Sequence, residues 1–200
     1  MEDRFESLIE GLLDDQFAST ADFLSPDLVD RLRTNLLTRL HQGQMHPAGI
    51  GRAIGFQTNA SIRGDLISWL DDAPEDEAEQ EFLALVREFM AYLNRTCYTG
   101  LNALEFHYAI YGPGSFYKRH KDQFRSDSGR RFSLVSYLNE DWLPIDGGAL
   151  VLSPEQNGEK VIFPEGGRMV LFKSDEVEHE VLPTVRPRMS ITGWLKTVSY

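Results

Sequence analysis

The strongest constraint in this sequence is a change of pattern near Gly100. After that residue, eight short apolar or alternating runs are separated by turn signals such as Asn157-Gly158. The runs are 106–111, 116–122, 132–138, 149–152, 160–163, 168–172, 180–182 and 189–198. Because no helical pattern lies between them, we expect an antiparallel sandwich or double-stranded roll rather than a parallel sheet with crossover helices.

Before residue 100 the sequence has the period of amphipathic helices. From Pro26, with Ser25 as a candidate N-cap, leucine and valine recur at spacings of three and four until Gly43. A second stripe begins near Glu75, and a shorter one covers residues 5–12. The predicted fold class is therefore α+β and mainly β: a double-stranded β-helix, or jelly roll, of about eight strands braced by N-terminal helices.

The 200 residues contain no internal repeat and no segment with the composition of a linker. We expect one domain over residues 1–200, in which 1–100 supply helical support and 101–200 form the β-roll with the active site. The stretch 46–61 is rich in glycine and too irregular for a helix or strand, so it is expected to be a mobile loop, either a plain connection or a lid over a substrate.

The net charge of −11 is unevenly distributed, because residues 1–100 hold 8 basic and 18 acidic residues. Such an acidic half disfavours binding to nucleic acid or to an anionic membrane. Six basic residues nevertheless crowd positions 118–131, either as a solvated edge or facing an acidic ligand. The acidic N-terminus does not match a secretory signal, and a cytoplasmic location is expected. The single cysteine, Cys97, excludes an internal disulfide and is expected in the core.

Two histidines and an aspartate form a candidate metal site. His120 and Asp122 are two residues apart, which places them on one face of an extended chain, and His179 lies where a return strand could bring it to them. Two imidazoles and one carboxylate on one face of a metal leave three positions open, as suits non-haem Fe(II). A His-x-Asp tripeptide alone is also compatible with a solvated strand face.

The last strand adds a candidate anion anchor. Arg188, Ser190, Thr192 and Trp194 share one face of an extended chain and face either solvent or a cavity. In a cavity, the guanidinium and the two hydroxyls would suit a dicarboxylate, and Tyr137 could add a phenol hydroxyl.

These residues resemble a known family. His120-x-Asp122, His179 and Arg188, nine residues after it, look like the Fe(II)- and 2-oxoglutarate-dependent dioxygenases. Five separated blocks further resemble the hypoxia-inducible-factor prolyl hydroxylases and their bacterial relatives, from about residue 25 to the C-terminus. The blocks are 62–69, 117–122, 137–142, 147–148 and 188–194.

The resemblance implies roles for three sets of residues. The metal ligands, which with Arg188 form the catalytic set, would be His120, Asp122 and His179. The residues that hold the cosubstrate would be Arg188, Tyr137, Thr192 and Tyr111. The residues that contact the substrate would be Tyr117, Arg130 and Trp194. The loop 46–61 would correspond to a mobile loop that closes over a peptide.

The resemblance also implies an activity. The cofactors would be Fe(II), 2-oxoglutarate and O2, with ascorbate as a candidate stimulant. The reaction would be protein prolyl 4-hydroxylation coupled to decarboxylation of 2-oxoglutarate to succinate and CO2. The partner would be a protein with an accessible prolyl residue, elongation factor Tu being the first candidate, and a role in oxygen sensing would follow. Two alternatives stay open: an oxygenase acting on a ribosomal protein, an amino acid or a damaged nucleobase, and a metal-binding sensor or scaffold without turnover.

Overall fold

The structure is a computed structural model that describes residues 2–49, 61–123, 129–155 and 158–198. Its helices are α1 (Glu2–Asp15), α2 (Pro26–His41) and α3 (Glu77–Cys97). Its strands are β1 (Phe17–Thr20), β2 (His46–Pro47), β3 (Asp65–Trp69), β4 (Ala103–Tyr111), β5 (Tyr117–His120), β6 (Arg130–Tyr137), β7 (Leu150–Ser153), β8 (Lys160–Ile162), β9 (Met169–Lys173), β10 (Glu178–Val181) and β11 (Arg188–Lys196).

Each long helix begins at a side-chain cap. The Ser25 hydroxyl accepts a hydrogen bond from the backbone N–H of Leu28 and precedes a proline at the first turn of α2. The Asp76 carboxylate accepts from the N–H groups of Ala78 and Glu79, so α3 starts after Asp76, slightly later than the predicted start. The apolar stripe predicted for residues 5–12 forms the buried face of α1.

The strands form two antiparallel sheets, which confirms the predicted jelly roll. The larger sheet has the order β1-β9-β6-β11-β4-β3-β2, and the smaller has the order β5-β10-β7-β8. In the described residues after Gly100, the eight predicted runs correspond to β4 through β11. The strands β1 to β3 were not predicted, because each is short and takes its place in the sheet from a partner distant in sequence.

Two apolar cores lie on opposite faces of the large sheet. Strand β4 shows the division: Phe106, Tyr108 and Ile110 pack in the cluster that holds the helices, whereas Ala109 and Tyr111 pack in the cluster between the two sheets. Strict alternation along an extended chain produces this separation. The helices therefore support the sheet from one side, and the opposite side is left to build a cavity.

Two sequence predictions need correction. His46 and Pro47, expected in an irregular loop, form β2 and pair with Ile67 and Leu66 of β3, while residues 50–60 lie outside the described part of the chain. Cys97, expected in the core, is exposed, because it ends α3 beyond the last buried residue of that helix.

Candidate active site

His120, Asp122 and His179 meet at the edge of the small sheet. His120 ends β5 and lies opposite His179 of β10 in the strand register, and Asp122 follows two residues after His120. The Oδ1 atom of Asp122 is 3.4 Å from Nε2 of His120 and 3.7 Å from Nε2 of His179. The three ligand atoms lie within 4.8 Å of one another. Neighbouring ligands of a transition metal are about 3 Å apart, so this group fits one ion after small shifts.

The surroundings of the two imidazoles select the atom that would face a metal. Nδ1 of His120 lies 2.7 Å from the carbonyl oxygen of Lys118, and Nδ1 of His179 lies 3.4 Å from that of Val177. A proton on each Nδ1, donated to the carbonyl, leaves the Nε2 lone pair free. Nε2 of His120 is buried and has no hydrogen-bond partner among the described residues. An ion at this point would satisfy that atom.

The carboxylate of Asp122 is held from the other side by a hydroxyl pair. Ser133 of β6 donates a hydrogen bond of 2.7 Å to Oδ2 of Asp122, and its own oxygen lies 2.8 Å from the hydroxyl oxygen of Ser174. Sequence reasoning did not identify Ser133 or Ser174, because only the pairing of β6 with β9 brings them together. Such support orients a ligand carboxylate and raises metal affinity.

The protonation states match a metal site. Burial would raise the pKa of Asp122, but His179, His120 and the hydroxyl of Ser133 hold that pKa well below its usual range. Burial lowers the pKa of His179 to about 4, so this imidazole is neutral at physiological pH. Asp122 therefore offers a charge, and His179 a lone pair, without a change of pH.

A buried arginine lies further along the same cavity. Arg188 begins β11 and is only 2% exposed. Its Nε donates a 2.8 Å hydrogen bond to the carbonyl of Gly148, and its guanidinium carbon lies 5.1 Å and 5.0 Å from the ring centroids of Tyr111 and Tyr137. Within the described ranges it has no carboxylate partner. A buried guanidinium is unfavourable without a neighbouring anion, and a ligand carboxylate would supply one here.

Tyr137 and Gly148 complete this end. The hydroxyl of Tyr137 is buried without a partner in the part of the chain described, and burial raises its pKa, so it is a protonated donor. Gly148 has a φ of +64°, and a Cβ atom there would lie 3.1 Å from Cδ of Arg188. Glycine thus allows the backbone to approach the arginine. Thr192, also predicted for this group, lines the cavity, with its hydroxyl 3.3 Å from that of Ser190.

Tyr117 connects the metal site to β3. Its ring stacks on the His120 imidazole at a centroid distance of 3.6 Å and an interplanar angle of 20°. The guanidinium of Arg63 lies 4.2 Å from the centroid of the same Tyr117 ring. It also donates hydrogen bonds to both carboxylate oxygens of Asp65, at 2.7 Å and 2.6 Å. Burial opposes the charge of Arg63, but Asp65 raises its pKa above the usual range. This bidentate pair holds Tyr117 against His120.

The three candidate metal ligands, Tyr111, Tyr117, Arg188 and Thr192 line one cavity of about 520 Å³. Beyond the metal group, the cavity continues to a second end lined by Trp69, Glu105, His107, Arg130 and Trp194. The Arg130 guanidinium lies 3.4 Å from the Trp194 ring centroid and donates a 3.3 Å hydrogen bond to the backbone carbonyl of Asp122. The structure thus brings every site residue predicted from the sequence into this cavity wall or, for Tyr137, into contact with Arg188.

The second end includes side chains that sequence reasoning did not assign to the site. The sequence patterns assigned no role to His107 or Trp69. Strand alternation could have identified His107. Residues 105, 107, 109 and 111 share a face of β4, and Tyr111 of this set was predicted to contact the cosubstrate. The predicted lid contributes His46, Pro47 and Gly49 to the wall, and its remaining residues 50–60 are not among those described.

Comparison with known proteins gives the class. The model of the 2OG-Fe(II) oxygenase superfamily matches residues 106–196. A Pseudomonas putida prolyl-4-hydroxylase structure is 37% identical, with a TM-score of 0.88 over 98% of this chain and 100% of that chain. The Trichoplax adhaerens prolyl hydroxylase, solved with a hypoxia inducible factor oxygen degradation domain peptide fragment, is 26% identical, with a TM-score of 0.88 over 98% of this chain and 90% of that chain.

A curated relative matches over a shorter region. The Xenopus laevis prolyl 3-hydroxylase OGFOD1 is 34% identical over 76 residues, which are 33% of this chain and 15% of that protein. The chain therefore spans only a small part of that relative's length.

The chain belongs to the 2OG-Fe(II) oxygenase superfamily, whose members use Fe(II), 2-oxoglutarate and O2. Within it, the structure is of the prolyl hydroxylase type. Among the described residues, no helix has the length and apolar character needed to cross a membrane.

Proposed function

We propose that this protein is an Fe(II)- and 2-oxoglutarate-dependent protein prolyl 4-hydroxylase. The observation that carries the proposal is the combination, in one cavity, of the His120, Asp122 and His179 group with the buried Arg188, which has no carboxylate partner among the described residues. The likeness to prolyl hydroxylase structures over 98% of the chain supports the choice of substrate class.

In this proposal His120, Asp122 and His179 hold Fe(II), and the buried Arg188 pairs with the distal carboxylate of 2-oxoglutarate. Bound together, they supply the oxidation in which 2-oxoglutarate, O2 and a substrate C–H become succinate, CO2 and C–OH. The hydroxyl of Tyr137 donates to the carboxylate held by Arg188, and Tyr111 lines the same end, whereas Thr192 lines the cavity further along β11, opposite His107 in the strand register. The described wall residues exclude water from that end because Tyr111, Tyr137 and Arg188 are buried.

The substrate would enter from the second end of the cavity. Arg130 stacks on Trp194 and reaches the backbone of Asp122, so a prolyl ring seated on this pair lies next to the metal group. Tyr117, stacked on His120, forms the facing wall. A single domain comprising the whole chain is part of the proposal. Elongation factor Tu is the first candidate partner, and a role in oxygen sensing, which requires a weak affinity for O2, is part of the proposal.

The first experiment tests the site without any protein substrate. Anaerobic addition of Fe(II) and 2-oxoglutarate should produce the weak visible charge-transfer band of the chelated complex in the wild type. The band should be lost in His179→Ala and Arg188→Ala and retained in His41→Ala, since His41 is exposed at the end of α2. No band at saturating 2-oxoglutarate would contradict the oxygenase proposal and favour a scaffold.

The second experiment tests the substrate. The protein with Fe(II), 2-oxoglutarate and ascorbate is incubated with elongation factor Tu and, separately, with ribosomal proteins of the same organism, and peptides are analysed by mass spectrometry. Addition of one oxygen atom to a prolyl residue, absent with His179→Ala, is the expected result. Succinate formation with oxygen placed only on residues other than proline would contradict prolyl hydroxylation while leaving the oxygenase site intact.

A further inference from the structure

Five polar atoms in the site region are buried without a hydrogen-bond partner in the described structure: His120 Nε2, Tyr137 Oη, His107 Nδ1, Arg130 Nε and Trp194 Nε1. A metal ion accounts for the first and a cosubstrate carboxylate for the second. The other three are explained by neither. An unpartnered buried polar atom costs free energy, so three together indicate a ligand that satisfies them.

These three side chains adjoin one another at the second end of the cavity. The ring centroids of His107 and Trp194 are 5.6 Å apart, and the Arg130 guanidinium stacks at 3.4 Å from the centroid of Trp194. His107 pairs in register with Thr192 of β11 and with Trp69 of β3, so it occupies the middle of the sheet face that forms the floor. Trp69 contacts the imidazole edge-on at 4.8 Å and is 48% exposed.

The chemistry of the cluster is that of hydrogen-bond donors. The indole of Trp194 and the guanidinium of Arg130 donate and do not accept. Burial, followed by the nearby charge of Arg63, lowers the pKa of His107 to about 4, so its imidazole is neutral and carries a single N–H. With that proton on Nδ1, all three unpartnered atoms are donors.

We propose that His107 is a specificity-determining residue that donates a hydrogen bond from Nδ1 to a main-chain carbonyl oxygen beside the target proline. This inference rests on the prolyl hydroxylation proposed above. A prolyl residue has no N–H, so at the target proline the backbone offers only carbonyl oxygens, which match a floor of donors. Because Trp69 and Trp194 cover His107, we place the opening that admits the carbonyl at the half-exposed Trp69.

The test compares two substitutions that differ in polarity. His107→Leu removes the donor, whereas His107→Asn retains a polar N–H close to the position of Nδ1. The probe is a library of peptides N-acetyl-Xaa-Xaa-Pro-Xaa-Xaa-amide, and the readouts are prolyl oxidation by mass spectrometry and peptide binding followed by tryptophan fluorescence. Two of the chain's three tryptophans contact His107, so binding should alter the emission.

We expect His107→Leu to weaken peptide binding and to reduce kcat/KM by roughly 10- to 100-fold, as for loss of a buried hydrogen bond, with His107→Asn within about threefold of wild type. The charge-transfer band, which depends on the metal ligands and Arg188, serves as the measure of correct folding for both variants. His41→Leu, the same substitution at an exposed helix end, is the matched control and should behave as wild type.

Equal peptide affinity in wild type and His107→Leu would overturn this inference and leave prolyl hydroxylation standing, as would equal weakening by the leucine and asparagine variants. A wild type that shows the band but neither binds nor oxidises the proline library would overturn both proposals. If His107→Leu fails to fold, as judged by loss of the band, His107→Gln decides the question. Its amide extends to the position of Nε2 rather than Nδ1, so activity equal to that of the asparagine variant would refute the role of Nδ1.

Discussion

Replacement of Arg188 by methionine should stabilise the protein without 2-oxoglutarate and abolish the stabilisation that 2-oxoglutarate provides. Arg188 is 2% exposed and makes one described hydrogen bond, to Gly148. An uncompensated buried charge costs several kcal/mol, whereas a hydrogen bond to a charged group contributes about 1.5–3 kcal/mol. Methionine keeps most of the buried hydrocarbon stem. We therefore expect Arg188→Met to raise the free energy of unfolding by about 1–3 kcal/mol in the absence of 2-oxoglutarate.

With 2-oxoglutarate the wild type should be stabilised and the Arg188→Met variant should not. At a concentration of 100 times Kd, a ligand that binds only the folded state adds about 2.7 kcal/mol to the free energy of unfolding. For a chain of this length, about 2–4 °C in Tm corresponds to 1 kcal/mol, so the wild type should gain about 5–10 °C. Arg188→Met should gain almost nothing, because the carboxylate loses its bidentate partner.

Scanning calorimetry of protein loaded with Mn(II), with and without 2-oxoglutarate, measures both effects. Arg95→Met is a matched control, because Arg95 is an exposed arginine at the far end of α3 that pairs with Glu2. Its ligand-induced shift in Tm should equal that of the wild type. A lower Tm for Arg188→Met without 2-oxoglutarate would show that the protein itself compensates the guanidinium, and the reasoning from an unpaired charge would be wrong.

Three further predictions concern the metal site, the cavity floor and the core. Ser133→Ala removes the hydrogen bond to Asp122 and should weaken Fe(II) binding about 10- to 100-fold in an anaerobic titration, whereas Ser136→Ala on the same strand should not; equal losses would refute the supporting role. His107 binds a proton more weakly when folded, with a pKa of about 4, than when unfolded, near 6.5, so its contribution to stability is lost as pH falls from about 6.5 to about 4. Over this pH range, the free energy of unfolding measured by denaturant titration should fall by about 3 kcal/mol more in the wild type than in His107→Leu. Parallel pH profiles for the two proteins would contradict this prediction. Phe82→Ala should lower the free energy of unfolding by about 3–5 kcal/mol, because Phe82 is fully buried and packs edge-on against Phe106. A loss below about 1 kcal/mol would show that the core closes around the smaller side chain and would contradict this prediction.

Strand periodicity made much of the fold predictable from the sequence. The eight runs after Gly100 are the strands β4 to β11, because each run carries its own alternation and its own turn signals. The strands β1 and β3 lacked such signals. Their positions follow from pairing with β9, which lies near the other end of the sequence, and with β4, respectively. Phe17 pairs with Phe172 and Asp65 with Tyr111, and a local pattern does not contain contacts over such separations.

The site was predictable where its residues had a fixed spacing. His120 and Asp122 share a face because they are two residues apart, and Arg188 leads a strand whose alternation points it into the cavity. Ser133 and His107 were not assigned, since a serine or histidine within a strand is common and its significance depends on what lies opposite. For Ser133 this is Asp122, and for His107 it is the pair of tryptophans.

The alternation of β4 has a consequence for how such an enzyme can diversify. Odd-numbered positions from 105 to 111 line the cavity, whereas Phe106 and Tyr108 belong to the core that the helices cover. A substitution on the cavity side can therefore alter what is accepted without repacking the helical layer. Residues that line the cavity and residues that pack against the helices therefore alternate along the same strand. Mutation can change the cavity residues while the packing residues are retained.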